Sequence, residues 1–546
     1  MSVSQFPEIF EALLKERGLT EDSIEDFLNP DYGQLYDPLL LPDMDKASQR
    51  VIEAIKNNEH IVVFSDYDAD GIPGAVVLSD FFKRINYQNI SFYIPHRHDE
   101  GYGLNSGAID ECAKRGAKLL ITIDCGISDV EEVALANSHD IDVIITDHHE
   151  PKDVLPEALA IINPKRKDSS YPFQGLCGSA VAYKLVQGIY GKEKFGVKEG
   201  MEKWSLDMVG IATLSDMVPL VGENRILARF GLEVLRKSPR PGLESLFRKL
   251  KLDRKSLTED DVAFMITPRI NAASRMGKPE DAFKLLSTDD QVEAERLGEH
   301  LEKINNERKG VVASIVKAAK LELSKREILL GVIVIGNPEW RPSLLGLVCN
   351  SLVEEYSRPV FAWGRDGDDA LKGSCRSYNG YDLFKLMEST RDSFIEFGGH
   401  AGAGGFSVTL EQLIVLEEKL SLSLETLAKG DRAENSKNTL AISLSDIGEN
   451  LWQTVVQFAP FGTGNEKPIF KIPKVEIKGI KKFGKENNHL ELSLANGIKA
   501  ISFFTTPTSY STLLSPGIHV NLHAHLEKSY FRNRPELRLR IVNIES

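Results

Sequence analysis

Cysteine is scarce and unpatterned in this sequence. The 546 residues include five, Cys112, Cys125, Cys177, Cys349 and Cys375, and no two of them stand in a Cys-x-x-Cys pair. That excludes a disulfide framework and a zinc ribbon, and it fits a reducing, cytoplasmic compartment. Long hydrophobic runs are also missing: the longest, ILLGVIVIG at 328–336, is too short to cross a bilayer and reads as a buried strand. The opening MSVSQFPEIFEALLKERG reads as a helix and lacks the layout of an export signal. Repeats and low-complexity tracts are absent. So is an excess of positive charge: 66 Lys and Arg against 80 Asp and Glu give a net −14, which argues against nonspecific coating of nucleic acid.

The positive charge that is present is concentrated at one end. Residues 471–546 hold 12 Lys/Arg and 6 Asp/Glu, interleaved with aromatics and β-type sequence. An acidic body with a basic end module suits a metal site joined to a nucleic-acid clamp, although a solvated surface would show the same charge. At roughly 150 residues per domain, the length predicts about three or four domains.

Residues 1–45 read as helical, then irregular. From there, helix-like and strand-like stretches alternate. Strands are expected at 60–66, 90–97, 118–124 and 142–147, with helices at 47–58, 74–85, 106–116 and 128–139. This order predicts a parallel sheet with helices on both faces. A long helix is expected over 285–328, joining two lobes, because Leu297, Leu301, Ile304, Val312, Ile315 and Ala319 recur at helical spacing. A second α/β lobe follows, with strands at 331–336 and 359–364, a helix near 343–356 and the glycine-rich FGGHAGAGGFSV. From about 440 the strand-like runs predict a small β-barrel.

In an open parallel sheet, ligands bind beyond the carboxyl ends of the strands. The first strand here runs into FSDYDADGI, with Asp66, Asp68 and Asp70. The third ends at Asp124 and the fourth at Asp147-His148-His149; a helix-like stretch then leads to Asp216. One aspartate at a strand end is ordinarily a helix cap. Several at one edge repel unless a cation neutralises them. A calcium loop starting at Asp66 would need glutamate at its twelfth position, which is Val77. A phosphatase with Asp68 as nucleophile would leave both histidines unused. Carboxylates with histidine suit Mn²⁺, or Mg²⁺ less well; without cysteine ligands Zn²⁺ is less favoured. The number of ligands is enough for two ions, which points to hydrolysis of a phosphate ester by a metal-activated water.

An ordered set of motifs then resembles the DHH phosphoesterase superfamily, and within it the RecJ family of single-strand-specific 5′→3′ DNA exonucleases. The set includes DYDADGI (66–72), IPHR (94–97), EGYGLN (100–105), IDCG (123–126), TDHHE (146–150), LCGSAVAYKL (176–185) and GIATLSDMVPL (210–220). It continues with PRINAASRM (268–276), GSCRS (373–377), GGHAGAGGF (398–406) and FAPFGTGNEKPIF (458–470). The resemblance implies an α/β fold in which a DHH catalytic domain (46–235) follows an N-terminal helical segment (1–45). A helical connector (236–328) then leads to a DHH-associated substrate-binding lobe (329–435) and an oligonucleotide-binding β-barrel (436–546).

The resemblance also implies residue roles. Asp68, Asp70, Asp124, His148 and Asp216 would bind two Mn²⁺ or Mg²⁺ ions, with Asp124 bridging and Asp66 as a further ligand. His149 would face the scissile phosphate, or else orient His148; Asp124 and Asp70 belong to the same catalytic group. Arg97, Tyr102, Arg275, Ser374, Arg376, Gly399 and His400 would hold the substrate. Phe483, Tyr530 or Phe531 could stack on bases. The implied enzyme removes 5′-mononucleotides from single-stranded DNA in recombination and repair, as a cytoplasmic monomer that meets a single-strand-binding protein and a helicase and no membrane. Two rivals share parts of this pattern: a DHH phosphodiesterase acting on cyclic dinucleotides or short RNA, and a noncatalytic single-strand-binding relative. Two sites depart from the family. Trp340-Arg341-Pro342-Ser343 stands where Trp-His-x-Gly is usual, and Ser274 where the family has glycine; both are expected to face substrate. No further domain is expected after the barrel.

Overall fold

The computed structural model describes residues 6–365, 371–427, 439–484, 487–503, 505, 507, 510, 514–529 and 535–545. Its first sheet is fully parallel, in the order Ile90–Tyr93, His60–Ser65, Ala117–Ile123, Asp142–Thr146, Ala160–Ile162. Alternate residues along each strand feed two cores, as the period of two requires. Ile61, Val63, Leu119, Ile121 and Ile123 pack with helices Met44–Lys56, Gly71–Arg84 and Gly178–Lys192. Val62, Phe64, Leu120, Val143 and Ile145 pack with helices Ser106–Lys114 and Val130–Ser138. Every strand therefore ends at the same edge. The strand expected over 90–97 stops at Tyr93, two residues before Pro95, which has no N–H to give the ladder.

The helix expected over 285–328 is divided. One helix ends at Ser287 and the inter-lobe helix runs Gln291–Leu323. The break is chemical: Asp290 caps the second helix, accepting from the N–H groups of Val292 and Glu293 at 2.7 and 2.9 Å.

The second lobe is a five-stranded sheet in the order Ile333–Gly336, Val360–Arg365, Leu371–Arg376, Ala403–Val408, Glu396–His400. The first pair is parallel and the rest antiparallel. Of the apolar run 328–336, only Ile333–Gly336 is strand. The glycine-rich segment is a hairpin of the last two strands, so Gly398, Gly399, Gly404 and Gly405 lie in paired backbone and Gly402 in the turn.

The C-terminal unit is a seven-stranded sheet, with Thr439–Ala441 and Gly479–Phe483 at its two ends. Its core also takes in Leu13 and Leu28 from helices Pro7–Glu16 and Glu21–Leu28. The N-terminal helices thus pack against the far end of the chain. Arg225, on helix Gly222–Leu235 and 1% exposed, ties these parts together. It donates to the carbonyl oxygens of Phe27, Phe458 and Ala459 at 2.7, 3.0 and 2.9 Å, and its guanidinium carbon lies 3.7 Å from the Phe27 ring centre.

Candidate metal centre

The loop after His60–Ser65 is held from several directions. Asp68 Oδ1 accepts from Asp70 N and Gly71 N at 2.7 and 3.2 Å. Asn271 Oδ1, two hundred residues on, accepts from Ala69 N at 2.9 Å. Asp70 is buried and aimed at the start of helix Gly178–Lys192, accepting from Gly178 N and Ser179 N at 2.6 and 2.7 Å. A helix N-terminus favours negative charge there. Gly178 is required by proximity: a Cβ at that position would lie 2.6 Å from Asp124 Cβ. Asp124 itself has φ +61°, a left-handed conformation rare outside glycine, of the kind that fixes side chains at functional sites.

These elements bring three ligand-type groups within reach of one another: Asp66, Asp68 and Asp124; Asp70, His148 and Asp216; and Asp124, His148 and His149. Asp124 and His148 are each shared by two groups. His148 Nε2 lies 3.1 Å from Asp124 Oδ1, 3.6 Å from Asp216 and 3.7 Å from Asp70. Asp66 Oδ1, Asp124 Oδ1 and His148 Nε2 are buried without hydrogen-bond partners. Burial first, and then mutual repulsion, pushes Asp66, Asp124 and Asp216 well above the usual carboxylate range, and Asp70 up to about 6. Burial and His149 push His148 down to about 3. Unpartnered oxygens, a neutral imidazole and clustered carboxylates are the donor set a divalent cation requires, so the residues fit one or two such ions.

His149 is the more exposed of the pair. Its Nδ1 lies 2.8 Å from Asp147 Oδ1 and 3.1 Å from the Tyr102 hydroxyl. Burial opposes its protonated form, yet the hydrogen bond to Asp147 and that carboxylate's charge raise it overall. Asp147, fully buried, also accepts from Ile127 N and from the His148 and His149 N–H groups. Reading the sequence for ligands missed Asp147 and Asn271. Asp147 stands beside the two histidines in TDHHE, and Asn271 lies inside PRINAASRM, so the signal for both was adjacency.

The expected substrate residues fall into two sets. Tyr102 donates to the Asp124 carbonyl at 2.9 Å and so belongs to the centre itself. Arg97 lies over the Tyr67 ring. Burial lowers Arg275 to about 9, helped by the nearby cations of Arg97, Arg308 and Arg376 and opposed by Asp68. Ser374, Arg376, Gly399 and His400 lie on the second lobe's sheet, Ser374 pairing with Gly405 and Gly399 with Gly404. Arg376 Nη2 would be 2.7 Å from a Cβ at Gly346, so that glycine leaves it room. The two departures are hydrogen-bonded within the fold: Ser274 Oγ donates to the Asn271 carbonyl, and the Ser343 carbonyl accepts from Arg275 Nη1 at 2.5 Å. Phe483 packs beside His489 and Phe503; Tyr530 and Phe531 lie outside the described residues.

The DHH family, N-terminal domain, matches residues 60–213, the DHHA1 domain 328–426 and the RecJ OB domain 439–543. The single-stranded-DNA-specific exonuclease RecJ of Salmonella typhimurium is 35% identical over 450 residues, 79% of this chain and 78% of that protein. The chain belongs to the RecJ family. The RecJ of Bacillus subtilis is 34% identical over 488 residues; these cover 89% of the chain but 61% of that relative's length. Among solved structures, RecJ of Thermus thermophilus in complex with Mn²⁺ aligns with a TM-score of 0.80 at 25% identity, over 99% of this chain and 78% of that one. A second, exonuclease RecJ bound to manganese, aligns with a TM-score of 0.60 at 29% identity over 72% of this chain and 97% of that one. No helix among the described residues is long and apolar enough to cross a membrane.

Proposed function

We propose that this RecJ-family chain is a metal-dependent exonuclease that degrades single-stranded DNA from the 5′ end to mononucleotides. Support comes above all from the buried, unpartnered Asp124 Oδ1 and His148 Nε2, joined in one chain to a RecJ OB domain. Asp68, Asp70, Asp124, His148 and Asp216 would hold the ions, with Asp66 beside them. Bound Mn²⁺ or Mg²⁺ would supply Lewis acidity, making water nucleophilic at neutral pH and offsetting charge on the phosphate. The chain's own groups do the rest. His149, oriented by Asp147, offers its free nitrogen to donate to the phosphate. Arg97, Arg275 and Arg376 present guanidinium forks to phosphate oxygens, with Ser374, Gly399 and His400 beside them. Tyr102 contributes to both the centre and the terminal nucleotide.

In this reading 46–235 is the catalytic domain, 236–328 the connector, 329–435 the substrate lobe and 436–546 the strand-gripping domain, with 1–45 as a helical brace. It places the protein in the cytoplasm, as a monomer working with a helicase and a single-strand-binding protein in recombination and repair. A phosphodiesterase for cyclic dinucleotides would have no use for the C-terminal domain.

The decisive assay uses a single strand labelled at its 5′ end, with Mn²⁺, comparing wild type with Asp124→Ala. Early release of labelled mononucleotide by wild type alone is expected. Late release of label overturns the polarity. Binding with no cleavage by either protein overturns the enzyme.

A further inference from the structure

Residues 94–105 join strand Ile90–Tyr93 to helix Ser106–Lys114 without a helix or strand of their own. This loop brings Tyr102 to the metal centre. Tyr102 stands between Gly101 and Gly103, both left-handed at φ +83° and +86°. Its hydroxyl reaches the Asp124 carbonyl and His149, while 52% of the residue stays exposed. Glycines on both sides leave the tyrosine free to swing, so nothing local keeps its hydroxyl on Asp124.

Glu100 supplies the hold. Its Oε1 accepts from His96 N at 2.6 Å. Its Oε2 accepts from the Tyr93 hydroxyl at 2.6 Å and from Asn105 Nδ2 at 3.2 Å. Hydrogen bonds to a charged acceptor are the strong ones. One carboxylate thus ties the strand end, the start of the loop and the cap of the next helix, where Asn105 Oδ1 accepts from Ala108 N at 2.8 Å. Tyr93 is itself stacked on the buried Phe64, with ring centres 5.4 Å apart. Past Tyr102, Leu104 N donates to Asp129 Oδ2 at 2.7 Å, and a Cβ at Gly103 would lie 2.8 Å from that oxygen. Tyr102 is slung between two carboxylates that belong to none of the ligand groups.

We propose that Glu100 is a positioning residue: it fixes the loop so that the Tyr102 hydroxyl bridges Asp124 and His149. It acts through Tyr102 alone. This deepens the nuclease reading above and rests on it for the reaction, while the hold on Tyr102 stands without it.

The test pairs a double-mutant cycle with a separate reading of the loop. Wild type, Glu100→Ala, Tyr102→Phe and the double variant are assayed with Mn²⁺ on a 5′-phosphorylated single-stranded oligonucleotide. Each single change is expected to lower kcat by about 10–100-fold and to change KM less. The double variant should be no slower than the worse single, because both changes remove the same contact. Losses that multiply overturn the inference. Glu100→Gln keeps an acceptor for His96 N, so it should fall between wild type and Glu100→Ala, and it replaces the alanine variant should that one not fold. Hydrogen exchange with the metal chelated reads the loop without catalysis. The Leu104 amide should exchange faster in Glu100→Ala, while the amides of strands His60–Ser65 and Ala117–Ile123 keep their protection. Unchanged exchange at Leu104 overturns the inference and leaves the nuclease intact. Faster exchange at Leu104, with no cleavage by any of the proteins, keeps Glu100 as the holder of Tyr102 and overturns the nuclease.

Discussion

Asp124 Oδ1 and His148 Nε2 lie 3.1 Å apart, yet no hydrogen bond joins them and neither atom has a hydrogen-bond partner elsewhere. Two acceptors facing one point in a buried site fit a shared cation. Mn²⁺ should therefore stabilise the wild type, by about 2.7 kcal/mol when the ion is at a hundred times its Kd. Asp124→Asn removes one charge from the repelling cluster. Without metal it should melt above wild type, and with metal it should gain little. Thermal melts with and without Mn²⁺ check this; an equal metal-induced rise in both proteins would contradict it.

Asp147 orients His149 and takes three backbone N–H groups besides. Asp147→Asn keeps the shape but loses the charge that holds the imidazole. Loss of such an outer partner typically lowers activity by 10–100-fold, and a fall of that size is expected in kcat. Steady-state kinetics on a single strand give the number, with circular dichroism to verify that the fold persists.

Arg225 joins the N-terminal helices, the helix Gly222–Leu235 and the turn at Phe458–Ala459 through three carbonyl oxygens. Arg225→Met fills similar space but strands the carbonyls of Phe27 and Ala459, while that of Phe458 keeps Asn465 Nδ2 at 2.9 Å. A loss of about 3 kcal/mol or more is expected, from about 1–3 kcal/mol for each unsatisfied group, partly relieved by relaxation. The melting temperature should fall, and limited proteolysis should open the segment between residues 16 and 45 first.

Asp129 carries the clearest pH dependence away from the metal ligands. Burial raises its pKa to about 6 from 3.8, against the hydrogen bond from Leu104 N. A carboxyl whose folded pKa is raised favours folding at low pH. That contribution is lost as pH rises from about 4 to 6, leaving a fixed penalty above. Asp129→Asn keeps an acceptor for Leu104 N and removes the penalty. It should be more stable than wild type at pH 7–8 by up to about 3 kcal/mol, and equal to it below pH 4. Paired melts from pH 4 to 8 measure the difference; a constant gap would contradict it.

Local sequence determined the parts that depend on short-range periodicity. Period-two apolar runs ending in Asp66, Asp124 and Asp147 sufficed to put carboxylates at one sheet edge, because parallel strands all finish on the same side. The stop at Ser287–Asp290 is equally local, but the helical spacing of Leu297 onward masks the Asp290 cap. Other features depend on surfaces meeting across the chain. Asp70 reaches Gly178 and Ser179, Asn271 steadies Ala69, and Leu13 lies in the core of the C-terminal sheet. No periodicity announces these contacts. They arise when packed faces bring distant residues together, and a polar group buried by that packing must find its partner there or remain, like Asn305, without one.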